Sequence, residues 1–105
     1  YGSARREFIY VDDVSRAILF FLERINSFKY FNLGTGQDIS IKDLSLLIKK
    51  KTGYKGQLFF NNKYPNGMKK KLMSNQYIRE KGFKCLTDLD KGIDIMVKEY
   101  ENSKS

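Results

Sequence analysis

Residues 40 to 53, Ser-Ile-Lys-Asp-Leu-Ser-Leu-Leu-Ile-Lys-Lys-Lys-Thr-Gly, constrain the fold more than any other stretch of this chain. They carry a start signal, a periodic face and a stop signal in one register. Ser40 stands at a helix start with Asp43 three residues on, close to a capping box. Ile41, Leu44, Leu47 and Ile48 recur at helical spacing and form one apolar face. Lys49, Lys50 and Lys51 fall in the last turn, where cations complement the helix dipole, and Gly53 ends the helix.

The flanking segments alternate between short β-rich runs and further helical patterns. Residues 6–11, Arg-Glu-Phe-Ile-Tyr-Val, read as a strand bounded by charge. Asp12 or Asp13 can then cap a helix that places Val14, Ala17, Ile18, Phe21, Leu22 and Ile25 on one side. Asn26 to Lys29 form a turn, and Tyr30 to Leu33 a second strand closed by Gly34-Thr35-Gly36. A third strand is expected at 56–60 and a loop at 61–70, with Pro65-Asn66-Gly67 as its turn. Lys71 to Met73 are a further extended piece. A short helix at 75–81 ends at Gly82, and a last helix runs from about Thr87 to Tyr100, with 101–105 fraying. The expected architecture is a small α/β lobe of about three short strands and four helices, one domain over 1–105.

Composition removes several kinds of chemistry. The chain has no histidine, so the usual zinc, general-base and triad arrangements lose their commonest residue. One cysteine, Cys85, excludes an internal disulfide and a cysteine-cluster metal site, which fits a reducing cytoplasm. The longest apolar run, residues 17–22, is far short of a membrane span. Tyr1 stands where an initiator methionine would, so the chain is expected to be a fragment. Twenty Lys and Arg against 12 Asp and Glu give a net charge of +8, which favours an anionic partner without naming it.

Four clusters are candidates for chemistry. Gly34-Thr35-Gly36 sits between a strand and a helix, but the third glycine of a dinucleotide fingerprint is Ile39, so a tight turn is the simpler reading. Tyr77 and Lys81 have the Tyr-x-x-x-Lys spacing of a catalytic pair, on a helix that Gly82 ends at once. Asp12 and Asp13 are explained as helix caps. Lys63, Lys69, Lys70 and Lys71 around the loop can supply point charges to a diphosphate, with Arg5 or Arg6 providing a bidentate fork.

Several of these pieces occur together in one family. Gly2-Ser3, then Arg6-Glu-Phe-Ile-Tyr-Val-Asp-Asp, Phe31-Asn-Leu-Gly-Thr-Gly, Ser40-Ile-Lys-Asp-Leu, Pro65-Asn-Gly and Lys71-Leu72 follow in order. The chain resembles the C-terminal part of the extended short-chain dehydrogenase/reductases that act on nucleotide sugars. The branch most similar is that of GDP-L-fucose synthase, the epimerase/reductase for GDP-4-keto-6-deoxy-mannose. The resemblance implies that Arg6 pairs with the substrate diphosphate and that Lys71 lies near the same phosphates. It places Tyr1 where the family has a tryptophan beside the substrate, and Ser3 in the Gly-Ser that follows. Arg5 is then left solvated. The chain departs from the family in a shortened turn reduced to Ala4, in Ser74 where an aspartate is usual, and in Met68-Lys69 where Thr-Pro is usual.

The same resemblance implies a GDP-sugar as ligand and a separate N-terminal Rossmann domain that carries the catalytic residues and NADP(H). This chain is therefore expected to hold no cofactor or metal of its own, and to be inactive alone. An apolar face is expected to await the Rossmann partner, which makes homo-oligomers of the chain possible. No membrane partner is expected, and nucleic acid is disfavoured. The alternatives are a small basic nucleic-acid-binding module, with Tyr54, Lys55, Phe59 and Phe60 on a sheet face, or a structural remnant that binds nothing tightly.

Overall fold

The computed structural model describes residues 2–24, 32–61, 63, 65 and 67–104. Within these residues the fold is α/β, with the strand and helix numbers expected. The order is β1 (Arg5–Arg6), α1 (Val11–Arg24), β2 (Ile39–Ser40), α2 (Ile41–Thr52), β3 (Lys70–Lys71), α3 (Gln76–Glu80) and α4 (Leu89–Ser103). The three strands form one sheet in the order β2-β1-β3. β1 pairs antiparallel with β2, Arg5 opposite Ser40 and Arg6 opposite Ile39. It pairs parallel with β3, Arg5 beside Lys70 and Arg6 beside Lys71.

The helices follow from local chemistry. The Ser40 hydroxyl accepts the Asp43 amide at 3.0 Å, and Gly53 closes α2 in the left-handed conformation at φ +71°. Two further amides at the start of α2 are taken from outside the helix, by Ala4 and Gly2 carbonyls at 2.9 and 2.8 Å. Gly2 is needed there, because a Cβ would lie 2.6 Å from the Phe60 ring. α1 has Asp12 and Asp13 in its first turn and Arg24 in its last, both matched to the dipole. α4 begins with the Asp88 carboxylate accepting the Lys91 amide at 2.8 Å. It continues through Ser103, so residues 101–103 are helical rather than frayed.

The expected strands survive only in part. Of residues 6–11, only Arg6 belongs to the ladder, because β1 ends where its two-residue partners end. Phe8, Ile9 and Tyr10 leave the sheet and line a cleft of about 690 Å³ beside α2 and α4, and Val11 already belongs to α1. Residues 56–60 form no strand; Phe60 packs over Gly2 instead, and Phe59 is 83% exposed. The turn at 26–29, residues 30–31 of the second expected strand and Asn66 of the loop turn lie outside the described residues. Asn32 and Leu33 carry no ladder.

The core lies between α1 and the α3 region. Ala17, Ile78 and Phe83 are buried, with Phe20, Phe21, Leu33, Tyr77 and Cys85 packed around them. Phe20 meets Phe21 and Phe83 edge-on at 5.4 and 5.6 Å. Burying Ile78 and Phe83 stabilises the fold by about 2 kcal/mol each. α2 and α4 are joined at the other end by Lys51, whose Nζ reaches Asp90 at 2.7 Å and Asp94 at 3.0 Å.

Candidate functional site

The sheet brings Arg6 and Lys71 together. They are 65 positions apart in the chain and adjacent partners in the parallel β1–β3 pair. Side chains alternate across a strand, so Arg5 and Lys70 belong to one face and Arg6 and Lys71 to the other. The ion pairs agree with that division. Arg5 Nε donates to Asp38 Oδ1 at 2.9 Å, and Lys70 Nζ lies 3.9 Å from Asp38 Oδ2. Arg5 is thus paired rather than solvated, which corrects the expectation. The reason is that Asp38 stands one residue before β2, within reach of the neighbouring strand.

On the other face the Arg6 guanidinium is oriented by backbone. Its Nη1 donates to the Arg5 and Met68 carbonyls, both at 2.7 Å. Lys71 is exposed and has no ion pair among the described residues. An arginine fork held by main-chain oxygens beside a lysine point charge is suited to a dianionic ligand such as a diphosphate.

Of the two other anticipated site residues, Tyr1 and Ser3, only Ser3 lies among the described residues. Ser3 is exposed between Gly2 and Ala4, whose carbonyls are spent on α2. No hydrogen bond joins it to Arg6 or Lys71. Tyr1 lies outside the described residues. Ser74, which replaces the family aspartate, accepts the Gln76 amide at 3.3 Å and so serves the start of α3.

The remaining clusters resolve as structure. Gly34-Thr35-Gly36 wraps the chain's own Glu7 carboxylate: the Gly36 amide donates to it at 2.8 Å and the Thr35 hydroxyl at 3.4 Å. A Cβ on Gly34 would lie 2.6 Å from that carboxylate, so the glycine permits the approach. Lys81 Nζ sits 5.5 Å from the Tyr77 ring centre, a cation–π contact on a ring that packs against the core. Asp13 is not a cap. It is 1% exposed and accepts the Leu86 and Thr87 amides at 3.0 and 3.1 Å and Arg16 Nη1 at 2.8 Å. The aromatic and lysine residues at 54–60 form no sheet face, which removes the platform that the nucleic-acid reading needs.

The Cys85 thiol is pushed up from its ordinary value, first by burial and then by the nearby Asp13 carboxylate, and is no activated nucleophile. Among the described residues no cluster of His, Cys, Asp and Glu is arranged to hold a metal ion. No helix there is long and apolar enough to cross a membrane. Sequence reasoning passed over Asp38 and misread Asp13. The available signal for Asp38 was an acid just ahead of the Ile39–Ser40 segment in a chain rich in Lys and Arg.

Comparison with known proteins agrees with this architecture. Residues 1–34 match the NAD dependent epimerase/dehydratase family. Over 92 residues the chain is 35% identical to probable GDP-L-fucose synthase 1 of Oryza sativa subsp. japonica, covering 88% of this chain and 28% of that protein. The GDP-mannoheptose C4 reductase of Campylobacter jejuni, solved with NADP bound, superposes with a TM-score of 0.83 at 34% identity, over 95% of this chain and 32% of that one. The UDP-glucose 4-epimerase of Thermotoga maritima with UDP-glucose gives a TM-score of 0.90 at 27% identity, over 99% and 34%. The chain therefore spans about a third of the length of the relatives it matches. In sequence and fold alike, the chain is similar to one part of the extended short-chain dehydrogenase/reductases of the GDP-L-fucose synthase kind, and its first 34 residues match the NAD dependent epimerase/dehydratase family.

Proposed function

We propose that this chain is the substrate-binding part of a GDP-L-fucose synthase-like epimerase/reductase, and that it holds the diphosphate of a GDP-sugar. The observation that carries the reading is the adjacency of Arg6 and Lys71 in the β1–β3 pair, on the face opposite the one that Asp38 neutralises. Arg6 supplies the fork and Lys71 the point charge, while Tyr1 and Ser3 are assigned to the substrate site by the family resemblance alone. Relatives named as GDP-L-fucose synthases and GDP-mannoheptose reductase support a GDP-sugar over other nucleotide sugars.

The reaction itself, and NADP(H), are assigned to a Rossmann portion outside these 105 residues, with which this chain would form the complete site. Relatives solved with NADP bound or in the presence of NADPH support that assignment. The chain alone binds without turnover, and the compartment is the cytoplasm.

An NMR titration of the chain with GDP, run beside UDP and a short DNA duplex, tests this. Localised shifts at Arg6 and Lys71 with GDP, and weaker ones with UDP, are expected. R6A should weaken GDP binding by about tenfold or more, the worth of a charge-assisted fork, and R6K should recover only part of it. Salt-sensitive shifts with DNA and none with GDP would overturn the reading.

A further inference from the structure

We propose that Asp38 is the positioning residue for the Arg6–Lys71 pair; its functional meaning rests on the GDP-sugar reading above. The problem it solves is electrostatic. β1 and β3 consist of Arg5, Arg6, Lys70 and Lys71, four cations in a parallel pair two residues long. Like charges set beside one another destabilise a sheet, and so short a ladder has few backbone bonds to oppose them. One such bond, from the Arg5 amide to the Lys69 carbonyl, measures 2.9 Å.

Asp38 supplies the missing attraction. Its side chain is 10% exposed and stands between cations of two different strands. Oδ1 accepts Arg5 Nε at 2.9 Å, and the Asp38 carbonyl accepts Arg5 Nη2 at 3.4 Å. The other oxygen, Oδ2, is buried without a hydrogen bond, and Lys70 Nζ faces it at 3.9 Å. One carboxylate therefore draws Arg5 and Lys70 to the same face. Strand alternation then turns Arg6 and Lys71 to the opposite face, side by side. A slip of one residue in β3 would set Arg6 beside Lys70 or Leu72 and separate the pair across the sheet.

Asp38 thus has an effect on anion binding opposite in sign to that of its charge. As a bare negative charge near a phosphate site it would weaken binding, and D38N would tighten it. As the residue that holds the register, it makes binding possible, and D38N weakens it.

The test uses D38N and D38E in the 105-residue chain, with amide hydrogen exchange and GDP titration. In D38N the Arg5 amide is expected to lose about tenfold of its protection while amides of α2 and α4 keep theirs. GDP binding is expected to fall by about tenfold, with D38E restoring part of both. GDP affinity equal to or above wild type in D38N, with Arg5 protection unchanged, overturns the proposal and leaves Asp38 a counter-charge only. If wild-type chain fails to bind GDP, the functional reading falls, and Arg5 exchange still decides whether Asp38 holds the strands. Should D38N not fold, K70Q at an exposed lysine carries the test: Arg5 protection falls if Asp38 bridges the strands, and stays at the wild-type level if it does not.

Discussion

Asp13 concentrates more interactions than any other acid in the described chain. Its carboxylate joins the first turn of α1 to the loop before α4 by taking two main-chain amides as well as Arg16. A buried carboxylate must have its acceptors filled, and here they are. D13A would leave those two amides without a partner and is expected to cost about 3 kcal/mol, read as a lower urea midpoint with an unchanged slope. R16A should cost about 1 kcal/mol or less, because that side chain is 43% exposed and water screens the pair. The amides that fill Asp13 lie 73 and 74 positions along the chain. An Asp-Asp pair at a helix start is satisfied on paper by capping alone, so nothing local distinguishes the buried acid from its exposed neighbour. Arg5 was misread for the same reason: its partner Asp38 is 33 positions away.

Among the elements, α2 matches its sequence closely because its start and stop signals are local. Its cap, dipole charges and stop residue lie within three residues of its ends. S40A is expected to cost about 1 kcal/mol through the lost cap bond. G53A should cost about 1 kcal/mol, entirely from the left-handed backbone, since nothing lies within 4 Å of the added Cβ. Thermal melts of the two variants check both. The α2–α4 junction should respond to alkali. Hydrogen bonds to Asp90 and then Asp94 raise the Lys51 pKa above its ordinary 10.5. A group raised on folding stabilises fully below its unfolded pKa and loses that contribution as pH rises through the folded value. The junction is therefore expected to hold below about pH 10.5 and to loosen above it, and K51M should flatten that alkaline decline. The strands were poorly legible. A β-rich run such as Phe8-Ile9-Tyr10 forms a strand only if a partner lies alongside, and here the partners are two residues long.

At the scale of the whole molecule the chain is a slab, 50 × 38 × 17 Å, with a radius of gyration of 16.6 Å. A compact chain of this length would be near 13 Å. The excess follows from a core with only Ala4, Ala17, Ile78 and Phe83 as its buried hydrophobics among the described residues. One side of α1 leaves Val11, Ile18, Leu19 and Leu22 between 55% and 76% exposed. Such a stripe is costly in water and favours association. Light scattering should show concentration-dependent oligomers of this chain, and the L19D/L22D variant should remain monomeric without a lower melting temperature. Equal association of both would place the contact elsewhere.

By itself the sequence determined the helices, the α/β class and the identity of Arg6 and Lys71 as the pair to watch, the last through its family resemblance. Helix signals act within a turn or two, so a reader of the chain meets them together. Only the tertiary structure decided which two-residue segments would pair, that Asp38 would gather Arg5 and Lys70 to one face, and that Asp13 would be buried. Those outcomes depend on charges and amides that are far apart along the chain and become neighbours only when the strands and loops are brought into register.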